Sequence, residues 1–131
     1  MPSVFSRIVS GEIPSHKVYE DEEFLAFLDI SPLTMGHTLL IPKKETDYLF
    51  DIETPDYLKL METAKRVSEV IKKVCACKRV GVAVIGLEVP HAHIHLIPIN
   101  TMDDMNFSRP KLNPSQDKLA EMSLKLRNGF N

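Results

Sequence analysis

His91-Ala92-His93-Ile94-His95-Leu96-Ile97 places three of the chain's five histidines within five residues, each separated from the next by one apolar residue. That alternation is the period of a β-strand and not of an α-helix, on which the three rings fan out around the axis. On a strand the imidazoles share one face, about 6.5–7 Å apart at a rise of ~3.3 Å per residue, while Ala92, Ile94 and Leu96 enter the core behind them. Clustered imidazoles serve two kinds of chemistry. Neutral rings hold zinc and other transition metals, and a ring with an ordinary pKa of about 6.5 also works as nucleophile, base or acid near neutrality. The alternation alone leaves metal binding and catalysis both open, with plain packing as the third reading.

The flanking sequence supplies the frame. Lys78 to Ile85, with Val80, Val82 and Val84 alternating, predicts a strand, and Gly86 opens its link to the triad. Before it, Thr54 suits an N-cap, Pro55 the first helical position and Asp56 the positive helix end. Leu58, Met61, Ala64, Val67, Ile71 and Val74 then recur at helical steps, which predicts an amphipathic helix of about twenty residues. Thr38 to Ile41 reads as an apolar strand stopped at Pro42. His16 to Glu20 and Glu23 to Asp29 form a hairpin around Asp21-Glu22, and Ser3 caps a short helix that Gly11 ends. After the triad, Met102 to Pro110 reads as a loop. Asn113-Pro114-Ser115-Gln116 resembles a capping box that opens a short helix carrying Leu119, Met122 and Leu126, closed by Gly129. A long helix between strands predicts an α+β meander.

Composition bounds the function classes. With 131 residues, 44% apolar and 26% charged, the sequence suits one globular domain over 1–131. A formal charge of −2 shows no basic excess to track a nucleic-acid backbone, so no nucleic-acid partner is expected. No stretch approaches the roughly 18 apolar residues that span a membrane, and Met1 to Ile13 lacks a signal-peptide core, so no membrane partner and a cytoplasmic location are expected. Cys75 and Cys77, spaced C-x-C, read as reduced residues at a helix end.

The pattern His-φ-His-φ-His-φ-φ, with φ apolar, resembles the signature of the histidine triad (HIT) superfamily of nucleotidyl hydrolases and transferases. Phe5-Ser6-Arg7-Ile8-Val9-Ser10-Gly11-Glu12-Ile13-Pro14, Val18-Tyr19-Glu20-Asp21, Leu25 to Pro32 and Gly36-His37-Thr38-Leu39-Leu40-Ile41-Pro42-Lys43-Lys44 resemble the small Hint-type branch in the same order. The resemblance implies the HIT fold: a five-stranded antiparallel sheet, one long helix and short N- and C-terminal helices, in a homodimer joined at a sheet edge. It implies hydrolysis of purine nucleoside phosphoramidates or related AMP or GMP conjugates at the α-phosphorus, with no cofactor and no metal. His93 is then the nucleophile of a covalent nucleotidyl-histidine intermediate. His95 bonds the phosphate oxygens, His91 orients the nucleophile and relays protons, and His37 approaches the same phosphate. By the same resemblance Asp29 accepts the ribose hydroxyls, and Val4, Phe5, Ile8, Ile13 and Ile30 form the base slot, with Glu88 and Val89 beside the nucleotide. Dinucleoside polyphosphate hydrolysis, nucleotide binding with little turnover, and metal binding by the three histidines stand as alternatives.

Two departures bear on substrate choice. Gly86-Leu87-Glu88-Val89-Pro90 puts Glu88 where the family carries a phosphate-binding serine or threonine. A carboxylate accepts hydrogen bonds but, while ionised, donates none. The chain also has no tryptophan and so lacks the Trp-Pro ending of the eukaryotic branch.

Overall fold

The computed structural model describes residues 2–131. Five antiparallel strands, β1 (Lys17–Glu20), β2 (Phe24–Leu28), β3 (Thr38–Pro42), β4 (Arg79–Ala83) and β5 (Ile94–Ile99), lie in the order β1-β2-β3-β5-β4. Three helices, α1 (Val4–Val9), α2 (Thr54–Cys75) and α3 (Gln116–Asn128), cover the sheet. This is the α+β arrangement that the sequence predicts. Asp21 builds the first hairpin by accepting the N–H groups of Glu23 and Phe24 at 2.7 Å, an Asx turn that hands the chain from β1 to β2.

Both faces of the central strands are buried, which explains why β2, β3 and β5 read as nearly continuous apolar runs. On one face Phe24, Ala26, Leu28, Leu40, Ile94 and Leu96 pack beneath Leu60, Ala64, Val67 and Ile71 of α2 and Leu119 and Leu126 of α3. On the other, Leu25, Phe27, Leu39 and Ile41 pack against Phe5 and Ile8 of α1. His95 pairs with Leu39 across the β3–β5 ladder, so the histidines belong to the α1 face.

Several boundaries differ from expectation for local reasons. The buried stripe of α2 runs through Leu60, Ala64, Val67 and Ile71, the steps of a 3.6-residue period, which leaves Leu58 and Met61 exposed off its side. Glu53, not Thr54, is the N-cap of α2, and it makes no side-chain capping bond. Ser3 caps α1 as expected, accepting the Ser6 N–H at 3.0 Å. Ser115, not Asn113, caps α3 by accepting the Lys118 N–H at 3.2 Å. The capping box instead closes on Thr101 and Asp104, at a short 3-10 turn over Met102–Met105 within the expected loop. β4 is an edge strand and ends at Ala83, opposite His95, with Val82 and Val84 exposed. Cys75 and Cys77 are free, and burial pushes the Cys75 thiol up to about 11. Among the described residues no helix is long and apolar enough to cross a membrane.

Candidate active site

The triad does not lie on one strand. Only His95 is in β5, and His91-Ala92-His93 leads into it as irregular chain. The β3–β5 register, carried on from Leu40 opposite Ile94, would set Ala92 opposite Pro42, which has no N–H to continue the ladder. The Ala92 N–H bonds Thr46 O at 2.7 Å instead, and His91 turns inward until it is fully buried. Period-two spacing therefore describes β5 and not the approach to it.

Each ring's partners fix its tautomer. His91 Nε2 lies 2.7 Å from the Pro42 carbonyl, so Nε2–H donates there and Nδ1 accepts from the Ser3 hydroxyl at 2.8 Å. The backbone carbonyl of His91 in turn takes Nδ1–H of His93 at 2.8 Å. That bond leaves the lone pair of His93 on Nε2. Nearby, the Leu33 N–H donates to His37 Nδ1 at 3.1 Å, which places the His37 proton on Nε2, and Nε2–H donates to His95 Nδ1 at 3.0 Å. His95 therefore carries its own proton on Nε2. A bare nitrogen on His93 and an N–H on His95 stand side by side, ring centroids 5.0 Å apart.

Burial disfavours charge on His37, His95 and His91. Desolvation, reinforced by the neighbouring His95 ring and by Lys111, pushes His37 down to about 3, and desolvation with the neighbouring His93 pushes His95 down to about 4. Burial lowers His91 too, against the pull of the Pro42 carbonyl and of Glu45. Burial raises Asp29, although its Oδ1 accepts the Ser31 N–H at 2.9 Å. Glu45, which accepts the Ser3 N–H at 2.6 Å and the Ser6 hydroxyl at 2.8 Å, is held down at about 2.

A stability prediction follows with a definite sign. An unfolded histidine takes a proton near its ordinary 6.5, whereas folded His37 and His95 take theirs only near 3 and 4. Between those values the unfolded chain binds more protons, so acid favours unfolding, by up to about 1.4 kcal/mol per pH unit for each ring. Asp29, with its raised pKa, works the other way at the acid end of that window. Urea unfolding at pH 7 and pH 5 is expected to show a loss on the order of 4 kcal/mol, about 2 from each ring. Equal stability at the two values would mean that the rings are charged in the folded state.

A cleft of about 370 Å³ opens over this cluster, lined by Asp29, Ser31, His37, Ile85, Gly86, Leu87, Glu88, Val89, His93, His95, Phe107 and Lys111. Six of the residues singled out in the sequence thus meet there: Asp29, His37, Glu88, Val89, His93 and His95. His91 sits behind them, with its ring turned away from the cleft by its two bonds. Phe5 and Ile8 are core residues, Phe5 with its ring 4.9 Å edge-to-face from His93. Val4 and Ile30 are exposed, and Ile13 packs at the margin of the core. Sequence reasoning missed Phe107, Lys111 and the Ser3–Ser6–Glu45 group. A lone aromatic in the polar stretch after Thr101 was the available signal for Phe107, whereas the second role of Ser3, as partner of His91, had none.

Asp29, His37 and His95 also place one potential ligand atom each within 4.8 Å of one another. The donor set does not fit a metal ion. With Leu33 N–H aimed at His37 Nδ1, the proton stays on Nε2, 3.7 Å from Asp29 Oδ2, and the nitrogen facing the other two groups has no lone pair to give.

Residues 10–102 match the HIT domain. An uncharacterized HIT-like protein of Borreliella burgdorferi is 37% identical over 131 residues, covering 94% of both chains. The adenosine 5′-monophosphoramidase of Saccharomyces cerevisiae is 38% identical over 96 residues, 72% of this chain and 61% of its own. Among solved structures, a Hit-like protein from Bartonella henselae, described as involved in cell-cycle regulation, superposes with a TM-score of 0.83 at 30% identity, covering 97% of this chain and 95% of that one.

Proposed function

Because this chain belongs to the histidine triad family, we propose that its cleft hydrolyses purine nucleoside phosphoramidates or related nucleotidyl conjugates at the α-phosphorus through His93. The observation that carries the reading is the Nδ1–H···O=C bond from His93 to His91, which leaves Nε2 with its lone pair free beside the N–H of His95. In the first step His93 Nε2 bonds the α-phosphorus and the P–N or P–O bond to the leaving group breaks, with a leaving nitrogen taking its proton from water. His95 Nε2–H donates to a phosphoryl oxygen as charge gathers there. In the second step water attacks phosphorus and gives up a proton to solvent, which balances the proton taken by the leaving nitrogen, while the P–N bond to His93 breaks, its electron pair returns to Nε2 and the nucleotide is released. His91 acts through its carbonyl, which aims the nucleophile. His37 holds His95 in its donor tautomer and is a positioning residue. Asp29, at the end of β2, accepts the ribose hydroxyls. The yeast relative's phosphoramidase activity supports this substrate class over the dinucleoside polyphosphates.

The exposed edge of β4, with Val82 and Val84 and with Ile85 and Leu87 just beyond, supports pairing with a second copy, and two free cysteines suit a cytoplasmic setting. A panel of adenosine and guanosine 5′-phosphoramidates and dinucleoside polyphosphates, assayed with and without EDTA, tests the reading. The phosphoramidates are expected to turn over fastest, at rates that chelation leaves unchanged. Turnover of the dinucleotides alone, or its loss on chelation, would transfer the assignment to the polyphosphate or metal alternative. Sedimentation reads the assembly, and a species of 14.9 kDa would remove the pairing at β4.

A further inference from the structure

The family match stops at residue 102, yet Phe107 and Lys111 line the cleft together with His37, His93 and His95. The segment that carries them is fastened to the loop before β3. Arg109 donates from Nη2 to the Leu33 carbonyl and from Nη1 to Asp103 and Asp104, and the Leu112 N–H donates to Pro32 O at 2.9 Å. Phe107 stands edge-to-face against His95 with ring centroids 5.1 Å apart. Lys111 Nζ donates to the backbone carbonyl of Phe107 and lies 5.9 Å from the centroid of its ring. An ammonium has three protons to donate, so this tether leaves two unspent.

Charge gives those protons a purpose. Asp29 and Glu88 bring two carboxylates to the cleft wall, and among its lining residues Lys111 alone is a lysine or arginine. Its field reaches Asp29 and His37. A phosphoryl group entering a site walled by two carboxylates is repelled unless a cation answers its charge. The donor that the family places after Gly86 is also missing here, with Glu88 in its stead.

We propose that Lys111 binds the anionic oxygens of the substrate's phosphoryl group, so that a segment beyond the matched HIT domain supplies the donor that Glu88 cannot. The assignment rests on the reading of the cleft as a nucleotide site. Lys111 is then a direct substrate contact, and Phe107 and Arg109 are positioning residues that hold its stem beside His95. The site accepts nucleotides through their phosphate, and nucleosides lack the group that Lys111 grips.

Calorimetric titration of AMP and of adenosine into wild type, Lys111→Gln and Lys111→Arg tests the assignment. Lys111→Gln is expected to weaken AMP by about tenfold, the scale of a lost charge-assisted hydrogen bond, and to leave adenosine within about twofold. Lys111→Arg is expected to hold AMP within about threefold, since it keeps both charge and donors. An equal loss for both ligands would make Lys111 a structural residue and overturn the proposal, as would undiminished AMP binding by Lys111→Gln. Wild-type protein that binds neither ligand would overturn the nucleotide reading itself, a result distinct from AMP binding that ignores Lys111.

Discussion

Replacing His93 with alanine is expected to lower turnover of an adenosine 5′-phosphoramidate by at least about three orders of magnitude while AMP affinity stays within about tenfold. The effect is this large because no other ring at the site can substitute. His95 Nδ1 is occupied by the proton of His37, and its Nε2 carries a proton, so it offers phosphorus no lone pair. His91 is turned behind the site with both ring nitrogens engaged. The substituted side chain leaves a small gap against Phe5, and thermal unfolding measured alongside the kinetics separates damage to the fold from loss of the nucleophile. Mass spectrometry of acid-quenched wild-type reactions is expected to find one nucleotidyl group on His93. A variant that keeps most of its activity, together with no adduct in the wild type, would remove covalent catalysis from the account.

Gly36→Ala is expected to destabilise the protein by about 2–4 kcal/mol, from two additive sources. Gly36 has φ +102, a backbone conformation that an L residue adopts only under strain. A Cβ there would stand 2.6 Å from Cys75 Sγ and 3.2 Å from Pro98 Cγ. Urea unfolding measures the sum, and Gly36→Ala in a Cys75→Ala background divides it. Removing the sulfur is expected to return the larger share of the steric part and to leave the backbone part with the closer approach to Pro98. A loss below about 0.5 kcal/mol for Gly36→Ala would show that the turn before His37 relaxes freely. Because His37 is the next residue, the same strain is expected to reach the His37–His95 bond.

The elements that place the site were legible because their burial follows simple periods. β2 and β3 read as apolar runs between turn residues, and α2 shows itself by its 3.6-residue stripe, although Leu58 and Met61, which fit the same steps, lie exposed at its side. The triad was legible as a cluster of imidazoles and misleading as geometry, since the missing N–H of Pro42 lies some fifty residues upstream and acts only once β3 and β5 pair. The Ser3–His91 bond and the place of Lys111 are long-range products of folding. Ser3 announces itself only as a cap, and Lys111 looks like any lysine in a polar loop. Spacing carries information about a residue's neighbours along one element and none about partners that other elements deliver.

The two bonds that decide where protons reside in the cleft both end on main-chain atoms, Leu33 N–H for the His37–His95 pair and the His91 carbonyl for His93. Peptide groups are not subject to ordinary substitution. Apart from a proline at 33, no change of side chain deletes either peptide group, so substitutions that keep the rings and the local backbone can redraw the walls and the charge of this pocket without reversing the direction of its hydrogen bonds. Substitutions at the cleft wall therefore bear on what the protein recognises, while the orientation of the ring nitrogens yields only to changes that move the backbone, as at Gly36.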